Sequence, residues 1–167
     1  MLAFFIFIVG VVSRLIVHLP NFTPVVALAF FGGCYLKKRQ AIFLPVALLA
    51  VTDFFIGFHH TMPFTWVSVM LVAAFGTWVR ERKSWKTVLG GSLLSAFLFF
   101  VVTNWGVWLV GGLYPPTMEG LRRCFLMAIP FFRYTLASTV MYTVAFFVLY
   151  ERIAGYISRT KYAGALL

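Results

Sequence analysis

The chain has 167 residues, of which 62% are hydrophobic and 11% charged, with a formal net charge of +10 and a mean hydropathy of +0.96. Soluble domains are about 45–50% apolar and about 25% charged, so a water-soluble fold is excluded and lipid is the expected solvent. About six helical spans of roughly 20 residues fill this length, which leaves no room for an ATPase or a receptor domain on the same polypeptide.

The opening run LAFFIFIVG has no basic stretch before it and no small-residue cleavage site after it, so it reads as a retained first span from Leu2 to Leu19 rather than a signal peptide. Pro20-Asn21 stops it. Thr23 is a natural N-cap with Pro24 at the first helical position, opening a short second span to Leu36 that Lys37-Lys38-Arg39 ends. A third span over 41–58 carries Pro45 and Asp53, and His59-His60-Thr61-Met62-Pro63 turns the chain into a fourth span over 64–79. After Arg80, Arg82, Lys83 and Lys86, a fifth span covers 87–110, with Gly90, Gly91, Ser92 and Ser95 small enough to let a neighbouring helix approach. The segment 111–129 mixes turn residues with an apolar stretch and predicts a loop followed by a short interfacial or re-entrant helix. A sixth span over 130–149 and a polar tail with Arg152, Arg159 and Lys161 complete the chain.

Ten of the fourteen Lys and Arg residues fall in the second-to-third connection, the fourth-to-fifth connection and the tail. The positive-inside rule makes that side cytoplasmic. The expectation is therefore an all-α bundle of about six transmembrane helices forming one domain over 1–167, with both termini in the cytoplasm of a bacterium and the bundle in its inner membrane. The four exceptions are Arg14, Arg122, Arg123 and Arg133.

A charge at the bilayer centre costs about 2.5–3.5 kcal/mol on insertion scales, so it needs a partner or a wet cavity. Arg14, Asp53 and Arg133 fall in the outer half of their spans. They make either a structural ion pair, Asp53 with Arg133 or Arg14, or a site in which one arginine meets an anionic ligand group. The outer connections also gather Asn21, Thr23, His59, His60, Asn104, Tyr114, Thr117, Glu119, Arg122 and Arg123. Phe22, Phe58, Trp105, Trp108, Phe131 and Tyr134 are interleaved with them and would line a small-molecule pocket or form an interfacial aromatic belt. Adjacent histidines diverge on a helix or strand, so His59-His60 does not offer metal-site geometry. Cys124, beside Arg122 and Arg123, is either a thiol in an electropositive setting or a buried inert one. The four carboxylates Asp53, Glu81, Glu119 and Glu151 accompany no HExxH, GxSxG or nucleotide-binding glycine motif. No enzymatic activity and no cofactor are expected.

The stretches NFTPVVALAFFGG (21–33), DFFIGFH (53–59), TNWGVWLVGGLYPPTMEGLRRC (103–124) and AIPFFRYTL (128–136) resemble a family of small, uncharacterised bacterial membrane proteins. That family is itself similar to the substrate-binding S components of energy-coupling factor vitamin transporters. The resemblance implies an outward cavity that binds a vitamin or similar micronutrient for uptake, and a separate transmembrane coupling subunit with two ATPases as partners. It also implies that the subunit topples in the membrane to release its substrate. Asn21, Asp53, His59, Asn104, Trp108, Tyr114, Glu119, Arg122, Cys124, Arg133 and Tyr134 are the candidate substrate contacts. S components commonly carry an AxxxA pattern on the first span, where this chain has only Gly10 and Ser13. The competing expectations are a non-catalytic subunit of a larger membrane complex and a membrane enzyme built on Asp53, Glu119, His59 and Arg133.

Overall fold

The computed structural model describes residues 21–159, together with five positions among the first twelve. Most of the expected first span, Arg14 included, and Lys161 in the tail lie outside the described residues. Five α-helices are found among the described residues: α1 (Val25–Tyr35), α2 (Lys38–Ile56), α3 (Met62–Val79), α4 (Trp85–Val110) and α5 (Met118–Ile157), with a 3-10 turn at Arg80–Arg82.

The middle of the fold is α1. Its sequence VVALAFFGGCY is apolar on every side, and Val25 through Cys34 are all buried, as expected of a helix with no polar stripe. Eleven residues rise only about 16 Å, short of the roughly 30 Å hydrocarbon layer. The other four helices surround it, and each packs against it. The closest approach is to α3. A Cβ on Gly33 would lie 2.3 Å from the Ala73 carbonyl oxygen, and one on Gly76 would lie 2.5 Å from that of Phe30. Glycine at both positions is what lets the two backbones touch. Thr23 does not cap α1 as expected; the cap position is Pro24, and no side chain bonds the first turn.

The second helix ends at Gly57, whose φ of 113° lies in a region open mainly to glycine. In α4 the expected small residues divide by face: Gly91 receives the ring of Phe30, whereas Gly90 has nothing near it. The Ser84 hydroxyl accepts from the Thr87 backbone N–H and the Thr87 hydroxyl from that of Ser84, closing the start of α4 with a capping box.

The chain departs from expectation after α4. Instead of a loop, an interfacial helix and a separate last span, one helix of 40 residues runs from Met118 through Pro130 to Ile157. Thr117 starts it by accepting from the Gly120 backbone N–H at 3.1 Å. Pro130 removes one backbone donor, but α4 splints the break. The ring of Phe100 meets Phe125 at 5.5 Å and Phe132 at 4.6 Å, on either side of the proline.

Three helical segments, 62–82, 85–110 and 118–157, are long and apolar enough to cross a membrane. Their outward faces and that of α2 carry exposed apolar side chains such as Phe43, Phe54, Phe55, Leu93 and Met141. In water such a surface would aggregate; in lipid it is solvated.

Candidate functional site

The ends of these helices form two unlike regions. Where α1 and α5 finish and α4 begins, basic residues crowd around polar partners. Arg80 donates to the carbonyl oxygens of Gly33, at 2.6 Å, and of Leu36, neutralising the carbonyl end of α1. Tyr35 donates to Glu151 at 2.6 Å, and the Lys83 ammonium sits 3.9 Å over the Tyr35 ring. We call this the basic end.

At the opposite end lies a cavity of about 350 Å³. Asn21 and Thr23 contribute from the segment before α1, Val25 and Val26 from its first turn, and Leu49 from α2. Thr61 and Thr65 come from the start of α3; Phe99, Phe100, Thr103, Asn104 and Val107 from one face of α4; and Ala128, Phe131, Phe132 and Thr135 from one face of α5. The α5 set straddles Pro130, so the splinted proline is part of the cavity wall.

Among the described residues, the lining holds seven polar side chains and no charged one. Asn21 reaches it from a left-handed backbone, φ 59°, a conformation asparagine tolerates better than most residues. Thr103 donates its hydroxyl proton to the Phe99 carbonyl at 2.8 Å and Thr135 to that of Phe131 at 3.5 Å. Both hydroxyl oxygens keep lone pairs for an incoming donor. Asn104 commits its amide to the Phe100 carbonyl at 2.8 Å, leaving its own oxygen as an acceptor. These groups alternate with four phenylalanines, Phe99, Phe100, Phe131 and Phe132. Neutral acceptors between aromatic walls suit a flat, uncharged molecule bearing N–H or O–H groups.

Of the eleven sequence-derived candidates, Asn21 and Asn104 line this cavity. Cys124 stands behind it, buried, donating its thiol to the Asn104 carbonyl at 3.4 Å. That is a packing role rather than an electropositive thiol site. Asp53 is buried with only 4% exposure and accepts from the Trp66 indole N–H at 3.0 Å, tying α2 to α3. It does not pair with Arg133, which is exposed, donates to the Pro130 carbonyl at 3.4 Å and lies 5.9 Å from the Tyr134 ring centre. Tyr134 is exposed beside it. His59 and His60 border a separate shallow pocket with Phe58, Met62, Pro63 and Trp66, and the His59 ring is hydrogen-bonded to Thr61 at 2.9 Å. Trp108 donates to the Pro115 carbonyl at 3.1 Å and so pins the connection that carries the half-buried Tyr114. Glu119 and Arg123 form an exposed ion pair of 2.9 Å, one turn apart on α5, and Arg122 is exposed next to it.

The sequence reading missed Thr61, Thr65, Thr103, Thr135 and three of the four phenylalanines as a set. Their signal is spacing: 99, 103 and 107 on α4, and 128, 131, 132 and 135 on α5, are one-face patterns. Lipid-facing stretches carry the same period.

An all-α arrangement of the described residues, with apolar helices long enough to cross a bilayer, places the chain among helical membrane proteins. It belongs to the family described as "Family of unknown function (DUF6580)", whose family model matches residues 1–161. No curated protein and no solved structure matches the chain.

Proposed function

We propose that this protein is the substrate-binding subunit of a micronutrient uptake system in the bacterial inner membrane. In this reading about six helical segments lie in the bilayer, the short α1 crossing only part of it, both termini are cytoplasmic, and the cavity faces outward. The supporting observation is the cavity itself, its position and its chemistry. It lies at the opposite end of the helices from the Lys37–Arg39 and Arg80–Lys86 clusters, which the positive-inside rule assigns to the cytoplasm. Its volume of about 350 Å³ falls at the lower end of the roughly 300–1,000 Å³ range of small-molecule sites. The ligand is uncharged in this reading, because no side chain among the described lining residues would compensate a buried ionic group. It donates hydrogen bonds, because Thr103, Thr135 and Asn104 present acceptors. A separate transmembrane coupling subunit with ATPases supplies the energy.

The test begins with the absorption spectrum and mass spectrum of whatever co-purifies. An aromatic, uncharged species of about twenty non-hydrogen atoms is expected from the cavity volume. Asn104→Ala should weaken its retention about tenfold, the worth of one hydrogen bond of about 1.4 kcal/mol. Protein that carries and binds no small molecule, but co-purifies in fixed ratio with a second membrane protein covering the cavity, would instead identify a non-catalytic subunit of a larger complex.

A further inference from the structure

Below the cavity, toward the basic end, α4 and α5 each continue the face that lines it. Residues four apart form a continuous ridge along a helix. On α5 the ridge from the cavity residue Thr135 continues through Thr139 and Thr143 to Phe147. On α4 the ridge from Thr103 and Phe99 continues through Ser95 to Gly91. Ser95, Thr139 and Thr143 are all 0% exposed, and the hydroxyl of each has no hydrogen-bond partner among the described residues.

The other buried hydroxyls of the bundle behave differently. Ser92 donates to the Leu89 carbonyl at 2.7 Å, Ser138 to that of Thr135 at 3.1 Å and Thr52 to that of Leu48 at 2.9 Å. That is the usual way for serine and threonine to satisfy themselves in an apolar helix. A buried hydroxyl left without a partner costs about 1–3 kcal/mol, and buried water commonly meets such groups. The three orphans also lie between the same two ring contacts. Ser95 lies between Phe100 and Gly91 on α4, and Thr139 and Thr143 lie between Phe132 and Phe147 on α5. Phe100 contacts Phe132 above them at 4.6 Å. Below them Phe30 covers Gly91 and stands 5.9 Å from Phe147.

We propose that Ser95, Thr139 and Thr143 mark a polar seam, closed in this structure, along which α4 and α5 part to admit water and then the ligand from the cavity toward the middle of the bundle, as far as Phe30 and Phe147. The proposal rests on the reading of the cavity as a binding site for an uncharged molecule. It differs from release by toppling of the whole subunit, because the route lies between α4 and α5. Polar residues inside a membrane bundle commonly mark such routes.

The experiment uses the full chain in membrane vesicles and does not require the ligand. Ser95→Cys, Thr139→Cys and Thr143→Cys are each exposed to a small cationic methanethiosulfonate reagent, and modified sites are located by peptide mass spectrometry. Thr103→Cys in the cavity is the positive reference, and Leu93→Cys and Met141→Cys, both 48% exposed on the outer faces, are the lipid references. The native Cys34 and Cys124, both buried, give the blank. The seam predicts modification of Thr139→Cys and Ser95→Cys within tenfold of the rate at Thr103→Cys, with the lipid references at least a hundredfold slower. A Phe147→Ala change should speed modification of Thr143→Cys further. Thr139→Val with Thr143→Val should slow modification at Ser95→Cys by tenfold or more. Reaction at Thr103→Cys without reaction at the three seam positions, in variants that elute and melt like the native protein, overturns the seam and leaves the cavity reading standing. Absence of reaction at Thr103→Cys as well overturns both.

Discussion

At the basic end, Arg80 closes the carbonyl terminus of α1, Tyr35 gives its proton to Glu151, and the Lys83 ammonium lies on the Tyr35 ring. At the cavity end, seven neutral polar side chains face open space, and no charged one joins them among the described lining residues. Charge is therefore spent where the helices are locked together, and neutral acceptors are kept where a molecule can enter. If this division is real, substitutions at the two ends should separate in what they damage: stability at one, ligand retention at the other.

The largest effect is expected where α1 and α3 touch. Gly33→Val or Gly76→Val puts carbon atoms inside 2.6 Å of backbone carbonyl oxygens on the facing helix, and neither backbone can give way without moving the core. Overpacking of this kind costs about 1–3 kcal/mol and sometimes more; at a backbone-to-backbone contact we expect the upper end, seen as loss of the monodisperse peak after mild heating in detergent. Gly90→Val, where a Cβ meets nothing within 4 Å, is the matched control and should leave the melting temperature within a degree or two.

Arg80→Met should come next. It removes the donors to Gly33 and Leu36 while keeping much of the side-chain volume, and hydrogen bonds from a charged group are worth about 1.5–3 kcal/mol. A lowered melting temperature with unchanged ligand retention is expected. Thr103→Val paired with Asn104→Leu should do the reverse, abolishing retention while shifting stability by no more than about 0.5 kcal/mol, since neither side chain holds helices together. Equal losses of stability from the two changes would erase the distinction between the ends.

The sequence carried the helical elements further than the site. The expected spans over 64–79 and 87–110 start only two residues inside α3 and α4, because long apolar runs bounded by charge and by Ser84 leave little choice of register. The turn residues of 111–129, Pro115-Pro116 and Gly120 among them, argue for an interruption before a last span that starts at Pro130, and locally all of these residues are breakers. What overrides Pro130 is Phe100 on another helix, a tertiary contact that no local pattern encodes. For the site, attention went to the residues most costly to leave in lipid: Asp53, Arg133 and the basic pair before Cys124. Asp53 turned out to hold Trp66, and Arg133 to lie at the surface. The cavity is instead made of threonine and phenylalanine, whose presence in an apolar helix needs no explanation one residue at a time. Only the meeting of five segments shows that they face one space.

The smallest effect is expected at Glu119, a residue whose position in the sequence, beside two arginines and on the cavity side of α5, invited a functional reading. Its carboxylate lies 2.9 Å from Arg123 Nε, with side-chain exposures of 60% and 67%, and solvent screens a pair so open. An i,i+4 pair of this kind contributes about 0.3–0.5 kcal/mol, part of it from the negative charge near the start of α5. Glu119→Gln should therefore lower stability by less than about 0.5 kcal/mol, and raising the salt concentration should remove even that difference. Ligand retention should be unchanged, because Glu119 does not line the cavity. A tenfold loss of retention in Glu119→Gln would show that the ligand reaches beyond the neutral lining to the charged first turn of α5, and the contrast between a charged locking end and a neutral receiving end would then have to be redrawn there.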